Sequence, residues 1–158
     1  MYRILLIALL LAGCAQIPPS PQDIQAKKFE PVPGKAVIYV VRTPMDSRES
    51  GSLVLDGRDQ ITTLGGTYYR WEVNPGTHRV AGVGNANEEV TLSTAAGGIY
   101  FLEHTVLGND RVGVISTAIR QISDQSGREM VLRSQLLSQA ARFVQLAGTA
   151  PGICIASS

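Results

Sequence analysis

The stretch Thr67-Tyr68-Tyr69-Arg70-Trp71-Glu72-Val73, followed by Asn74-Pro75-Gly76 and then by Thr77-His78-Arg79-Val80-Ala81-Gly82-Val83, decides the fold class. In the first run Tyr69, Trp71 and Val73 alternate with Tyr68, Arg70 and Glu72. Successive side chains of a strand point to opposite faces, so this period of two predicts one core face and one wetter face. Proline followed by glycine suits the two central positions of a type II turn, and the two runs are expected to pair as a hairpin.

Similar signals extend in both directions. Upstream, Ala36-Val37-Ile38-Tyr39-Val40-Val41, inside residues 35–42, is β-branched and aromatic with no helical period, which predicts a strand buried on both faces. Residues 43–51 read as a loop. Ser52-Leu53-Val54-Leu55 then runs into Asp56-Gly57, a pair that tolerates left-handed backbone and predicts a tight hairpin returning through residues 61–64. Gly65-Gly66 turns the chain again. Downstream, residues 88–93 alternate around Val90 and Leu92, residues 99–106 form another apolar run, and residues 111–122 are rich in Val, Ile and Thr. About eight short strands with turn signals every ~8 to 12 residues predict a mainly β fold, an antiparallel β-sandwich. One C-terminal α-helix is expected over residues 128–146, capped near Ser126 with Glu129 three residues on. Its apolar face would run through Met130, Leu137, Ala140, Ala141 and Val144.

With 158 residues, the chain has room for one domain plus appendages. Fourteen Lys and Arg against thirteen Asp and Glu leave a net charge of +1, too weak a field to gather polyanions, and nucleic acid is not an expected partner.

The N-terminus has a different character. Met1-Tyr2-Arg3 carries one positive charge and is followed by an uninterrupted apolar run, Ile4 to Leu11. That run is shorter than the ~20 residues a spanning helix needs, and it reads as the apolar part of a signal peptide. It exits through Leu11-Ala12-Gly13-Cys14, which resembles the lipobox of bacterial lipoproteins. The resemblance implies cleavage between Gly13 and Cys14 and lipid attachment at Cys14. A multiply acylated cysteine would hold the protein on a membrane. Ala15, where an aspartate typically retains such proteins in the inner membrane, implies the outer membrane of the cell envelope, facing the periplasm. Removing residues 1–13 takes one Arg away and leaves thirteen basic against thirteen acidic residues.

Residues 14–34 contain Pro18, Pro19, Pro21, Pro31 and Pro33 among Gln, Ser and Lys. They are expected to be a partly extended tether, ~40 to 60 Å long at ~3 Å per residue. The folded domain is therefore expected over residues 35–146, with a small irregular tail over 147–158. If Cys14 is acylated, Cys154 is the only other thiol, and its setting in Ile153-Cys154-Ile155 suits a small buried hydrophobe.

Four motifs taken in order, Lys35-Ala-Val-Ile-Tyr-Val-Val-Arg42, Val54-Leu55-Asp56-Gly57, Gly66-Thr-Tyr-Tyr-Arg-Trp-Glu-Val-Asn-Pro-Gly-Thr-His78 and Ala96-Gly-Gly-Ile-Tyr-Phe-Leu102, resemble the domain-of-unknown-function 2846 family of bacterial lipoproteins. The likeness covers roughly residues 35–137. Asn74 stands where the family often has proline, and Leu53-Val54-Leu55 replaces its usual V-x-V. These motifs are turn chemistry, so the likeness implies a fold and carries no activity.

Searching for chemistry yields little. His78 and His104 are the only imidazoles, no metal-ligand spacing exists, and neither metal nor cofactor is expected. His78 is expected to make a backbone hydrogen bond at the turn, and His104, in step with Tyr100, Leu102 and Val106, to face the core. Ser116, His104 and Asp110 lack a nucleophile elbow. Glu88 and Glu89 are adjacent in a strand and so fall on opposite faces. Tyr68, Arg70 and Glu72, on the wetter face of one strand, form a possible binding surface. The expectation is a binding or assembly module of the envelope rather than an enzyme, with an envelope protein or peptidoglycan as partner. The alternative is an envelope hydrolase using His104 or His78.

Overall fold

The computed structural model describes residues 18–43, 49–83, 86–109 and 114–137. The signal segment 1–13, Cys14, most of the 43–51 loop, Asp110, the helix-face residues Ala140, Ala141 and Val144, and the tail with Cys154 lie outside them. In chain order the elements are α1 (Pro21–Ala26), β1 (Ala36–Val41), β2 (Gly51–Leu55), β3 (Asp59–Thr63), β4 (Thr67–Val73), β5 (Gly76–Val83), β6 (Ala86–Asn87), β7 (Glu89–Thr94), β8 (Ile99–Asn109), β9 (Val114–Ile122), α2 (Asp124–Arg133) and β10 (Gln135–Leu136). Eight of the strands have five residues or more, and β6 and β10 have two each.

They form a sandwich of a six-stranded sheet, ordered β10-β4-β1-β8-β9-β6, and a four-stranded sheet, ordered β3-β2-β5-β7. The smaller sheet is antiparallel throughout, as expected. The larger is mixed: β1 runs parallel to β8, β10 to β4, and β6 to β9. A strand buried on both faces suits a central place in a mixed sheet, and β1, all six residues buried, occupies one. Ile38, Val40, Trp71 and Leu102 from the larger sheet meet Leu53, Ile61, Val80 and Leu92 from the smaller one to form the interlayer core.

The hairpin expected across Asn74-Pro75-Gly76 does not form. β4 belongs to the large sheet, paired with β1, and β5 to the small one, paired with β2 and β7. Alternation tells which face of a strand is buried and leaves its neighbour unspecified. Gly76 at φ 147° takes backbone that only glycine adopts readily, and it carries the chain around a corner from one layer to the other. By contrast, the Asp56-Gly57 turn forms as expected, with φ of 52° and 69° and the Arg58 N–H donating to the Leu55 carbonyl.

A third layer covers the other face of the large sheet. Val37, Tyr39, Val41, Tyr68 and Phe101 pack there against Ala26 of α1 and Val131 of α2, with Phe29 and Val32 at the margin. Residues 18–34, expected as tether, are thus largely part of the domain. The reason lies in one helical turn: Ser20 caps α1 by accepting the Asp23 N–H, Pro21 preorganises its start, and Asp23 and Ala26, three apart, face inward together.

Helix α2 also departs from expectation. It starts at Asp124 under a Ser123 cap, earlier than the expected Ser126 cap, because β9 runs directly into it. It ends at Arg133, and Leu137 is not helical. There the Ser134 hydroxyl donates to the Met130 carbonyl, while the Gln135 and Leu137 N–H groups donate to Gly66 and Tyr68, which turns the chain into a short strand beside β4. Gly127 lets α2 sit close on the sheet, since a Cβ there would fall 2.1 Å from the Phe101 ring.

Candidate functional site

The outer face of β4 was the expected binding surface, and the structure divides its three residues. Tyr68 is 1% exposed and lies beneath α1. Its hydroxyl donates to Asp23 Oδ1 at 2.9 Å, and burial together with that carboxylate pushes its pKa far above the ordinary tyrosine value. It is a neutral structural donor and presents nothing to a partner, which corrects its inclusion in the surface. The missed signal was Asp23, whose buried carboxylate also accepts the Leu136 N–H at 3.0 Å and pairs with Lys27 at 2.9 Å.

Arg70 and Glu72 remain at the surface and pair with each other. Burial works against the charged Arg70 guanidinium, yet the hydrogen bond to Glu72 and the nearby Tyr39 outweigh it and raise its pKa further. The guanidinium lies 5.9 Å from the centre of the Tyr39 ring. Both residues line a groove of about 990 Å³ between β4 and the α1 segment, together with Gln22, Gln25, Pro31 and Leu137. Gly66 and Tyr68 turn their carbonyls toward the β10 side of β4. By alternation the main-chain groups of Arg70 and Glu72 point the same way, into the groove.

The two histidines are far apart in role. His104 is 1% exposed in the interlayer core, with Nδ1 2.9 Å from the Thr63 hydroxyl, as its alternation predicted. That hydroxyl also donates to the Gly51 carbonyl, and the Thr63 carbonyl accepts from the fully buried Arg42 guanidinium at 3.1 Å. Arg42, just past the end of β1, continues the even-numbered inward series of Ala36, Ile38 and Val40. Ser116 sits opposite Leu107 on the β8–β9 ladder, three residues along from His104.

His78 lies at the surface. Its Nδ1 is 2.8 Å from Asp56 Oδ2 and its Nε2 2.8 Å from the Asn74 carbonyl, which supplies the backbone contact expected at that turn. Both ring nitrogens therefore face acceptors, an arrangement that favours the doubly protonated ring. Burial opposes the charge, but the hydrogen bonds to Asp56 and Asn74 prevail and raise the His78 pKa. Burial likewise opposes the Asp56 carboxylate, and hydrogen bonds from His78 and the Arg79 N–H hold its pKa below the usual value. Of the carboxylate pair, Glu89 bonds Arg79 across the strands.

Among the described residues no group of three or more His, Cys, Asp or Glu is arranged to hold a metal ion, and no helix is long and apolar enough to cross a membrane. Compared with known protein families and with curated proteins, the chain finds no match in either.

Proposed function

We propose that this chain is a bacterial lipoprotein whose sandwich is a binding or assembly module of the cell envelope. Residues 1–13 are removed, Cys14 is acylated, and the domain faces the periplasm from the outer membrane. The observation that carries this reading is the order of basic start, apolar run and Leu11-Ala12-Gly13-Cys14. The groove beside Arg70 and Glu72 supports the binding role, because it sets a charged pair and a strand edge beside the apolar Pro31, Val32 and Leu137. The engagement of both His78 nitrogens by Asp56 and Asn74 favours a structural post over a general base.

Two measurements test the reading. A fatty-acid probe should label the chain, and Cys14→Ser should abolish the label; a Cys14→Ser protein that still takes up label refutes the anchor. A photo-crosslinker at Glu72 should capture one dominant envelope partner, protein or peptidoglycan, that the same group at Thr91 on β7 does not. Equal patterns from both positions would remove the groove from the reading. If replacing both histidines by Asn abolishes function while the far-ultraviolet spectrum is retained, the envelope hydrolase gains the argument.

A further inference from the structure

We infer that the outer layer of the domain, the exposed side of α1 and α2, rests directly on the bilayer that holds the Cys14 lipid. The inference deepens the lipoprotein reading and depends on it. Its ground is how little chain remains for a tether. Asp23 accepts hydrogen bonds from the Tyr68 hydroxyl and the Leu136 N–H, which keep α1 on the sheet in the folded domain. The Lys27 ammonium also donates to the Ser134 carbonyl at 2.8 Å, which ties α1 to the end of α2. Between Cys14 and Pro18, the first described residue, only four residue steps intervene, and these reach ~14 Å at most when fully extended. That distance is less than the thickness of three packed layers, which at about 10 Å between neighbours is about 20 Å from the first to the last. An anchored domain must then keep the end that bears Pro18 against the membrane.

The surface at that end has the chemistry the position requires. Ile24 on α1 is 53% exposed and Leu132 on α2 56%, two of only four large apolar side chains so exposed among the described residues. Leu132 shares a cleft with Pro18, Pro19, Asp23 and Lys27, and Ile24 is exposed on α1, the helix that supplies Asp23 to that cleft. Lys28 and Arg133 stand exposed beside them. Exposed apolar side chains with a lysine and an arginine close to them in sequence suit the boundary between acyl chains and anionic headgroups. Singly such residues would need no explanation, but here they gather where the chain leaves for its anchor.

The test uses the acylated full-length mature chain in vesicles of phosphatidylethanolamine and phosphatidylglycerol. In a Cys154→Ser background, nitroxide labels are placed through Ile24→Cys, Leu132→Cys and, on the far sheet, Thr91→Cys. At positions 24 and 132 accessibility to a nickel chelate should be about tenfold below that at position 91, with oxygen accessibility raised. A twenty-residue Gly-Ser insertion after Gln16 should bring the two positions back toward the value at 91. Equal nickel accessibility at all three sites, in a chain that carries the fatty-acid label, overturns this inference and leaves the anchor standing. A chain that takes no label overturns the anchor and this inference together.

Discussion

The two faces of the large sheet are closed in different ways. Its inner face meets the small sheet through mainly aliphatic side chains drawn from eight strands and arranged by alternation within each strand. Its outer face is aromatic, with Tyr39 stacked on Phe101 at 5.2 Å and Phe29 edging both, and it is closed by residues from opposite ends of the domain. Asp23 and Leu136 meet there, as do Lys27 and Ser134. Arg128 lies 4.7 Å over the Phe29 ring. The inner layer is held by the larger buried area, the outer one by a smaller apolar cluster and a few polar contacts across long sequence separations. The outer layer is accordingly expected to be the weaker and the first to open.

The largest effect is expected from the inner face. Ile38 lies in register between Trp71 and Tyr100, and Ile38→Ala should cost about 3 kcal/mol, seen as a lower denaturant midpoint with an unchanged slope. A change in slope would show that the two layers do not unfold as one unit. Next is Asp23→Ala, which strands the Tyr68 hydroxyl and the Leu136 N–H and should cost about 2 kcal/mol. Hydrogen exchange should then lose protection in residues 21–26 and 135–137 while β2 and β5 keep theirs; a uniform loss would erase the distinction between the faces.

The smallest effect belongs to the Asp56–His78 pair, far from both. His78 has a raised pKa, so its contribution is complete below the ordinary imidazole value and is lost as pH rises through the raised one. Asp56 has a lowered pKa, so its contribution is present above the ordinary carboxylate value and is lost as pH falls through the lowered one. Stability should therefore be greatest between the two ordinary values, roughly pH 4 to 6.5, with about 0.5 kcal/mol at stake for so exposed a pair. His78→Gln should flatten the slope above that window, and an unchanged slope would assign it to another group.

What local pattern governs was readable. Period-two alternation identified the inward residues of β4, β7 and β8, the unbroken apolar run of β1 its burial on both faces, and the conformational tolerance of Asp56-Gly57 the turn that joins β2 to β3. Alternation is silent about partners, so the sheet change at Gly76 and the parallel pairing of β1 with β8 were not visible. Composition misled at residues 18–34, where prolines spaced around a single helical turn read as linker, although Ala26, Phe29 and Val32 supply apolar surface. For the candidate site, Arg70 and Glu72 were legible as a surface pair. The burial of Tyr68 was not, because its cover comes from forty-five residues earlier in the chain.

The place of β1 bears on how the molecule is made. Its antiparallel neighbour, pairing Ala36 with Val73, and its parallel one, pairing Val37 with Ile99, both arrive much later in synthesis than Ala-Val-Ile-Tyr-Val-Val itself. Until then six consecutive apolar residues have no sheet to join, and such a segment adheres readily to copies of itself. Non-local parallel pairing is also slow to close. Yield on expression should therefore respond to the supply of a holdase that shields this one segment more than to any change at the surface.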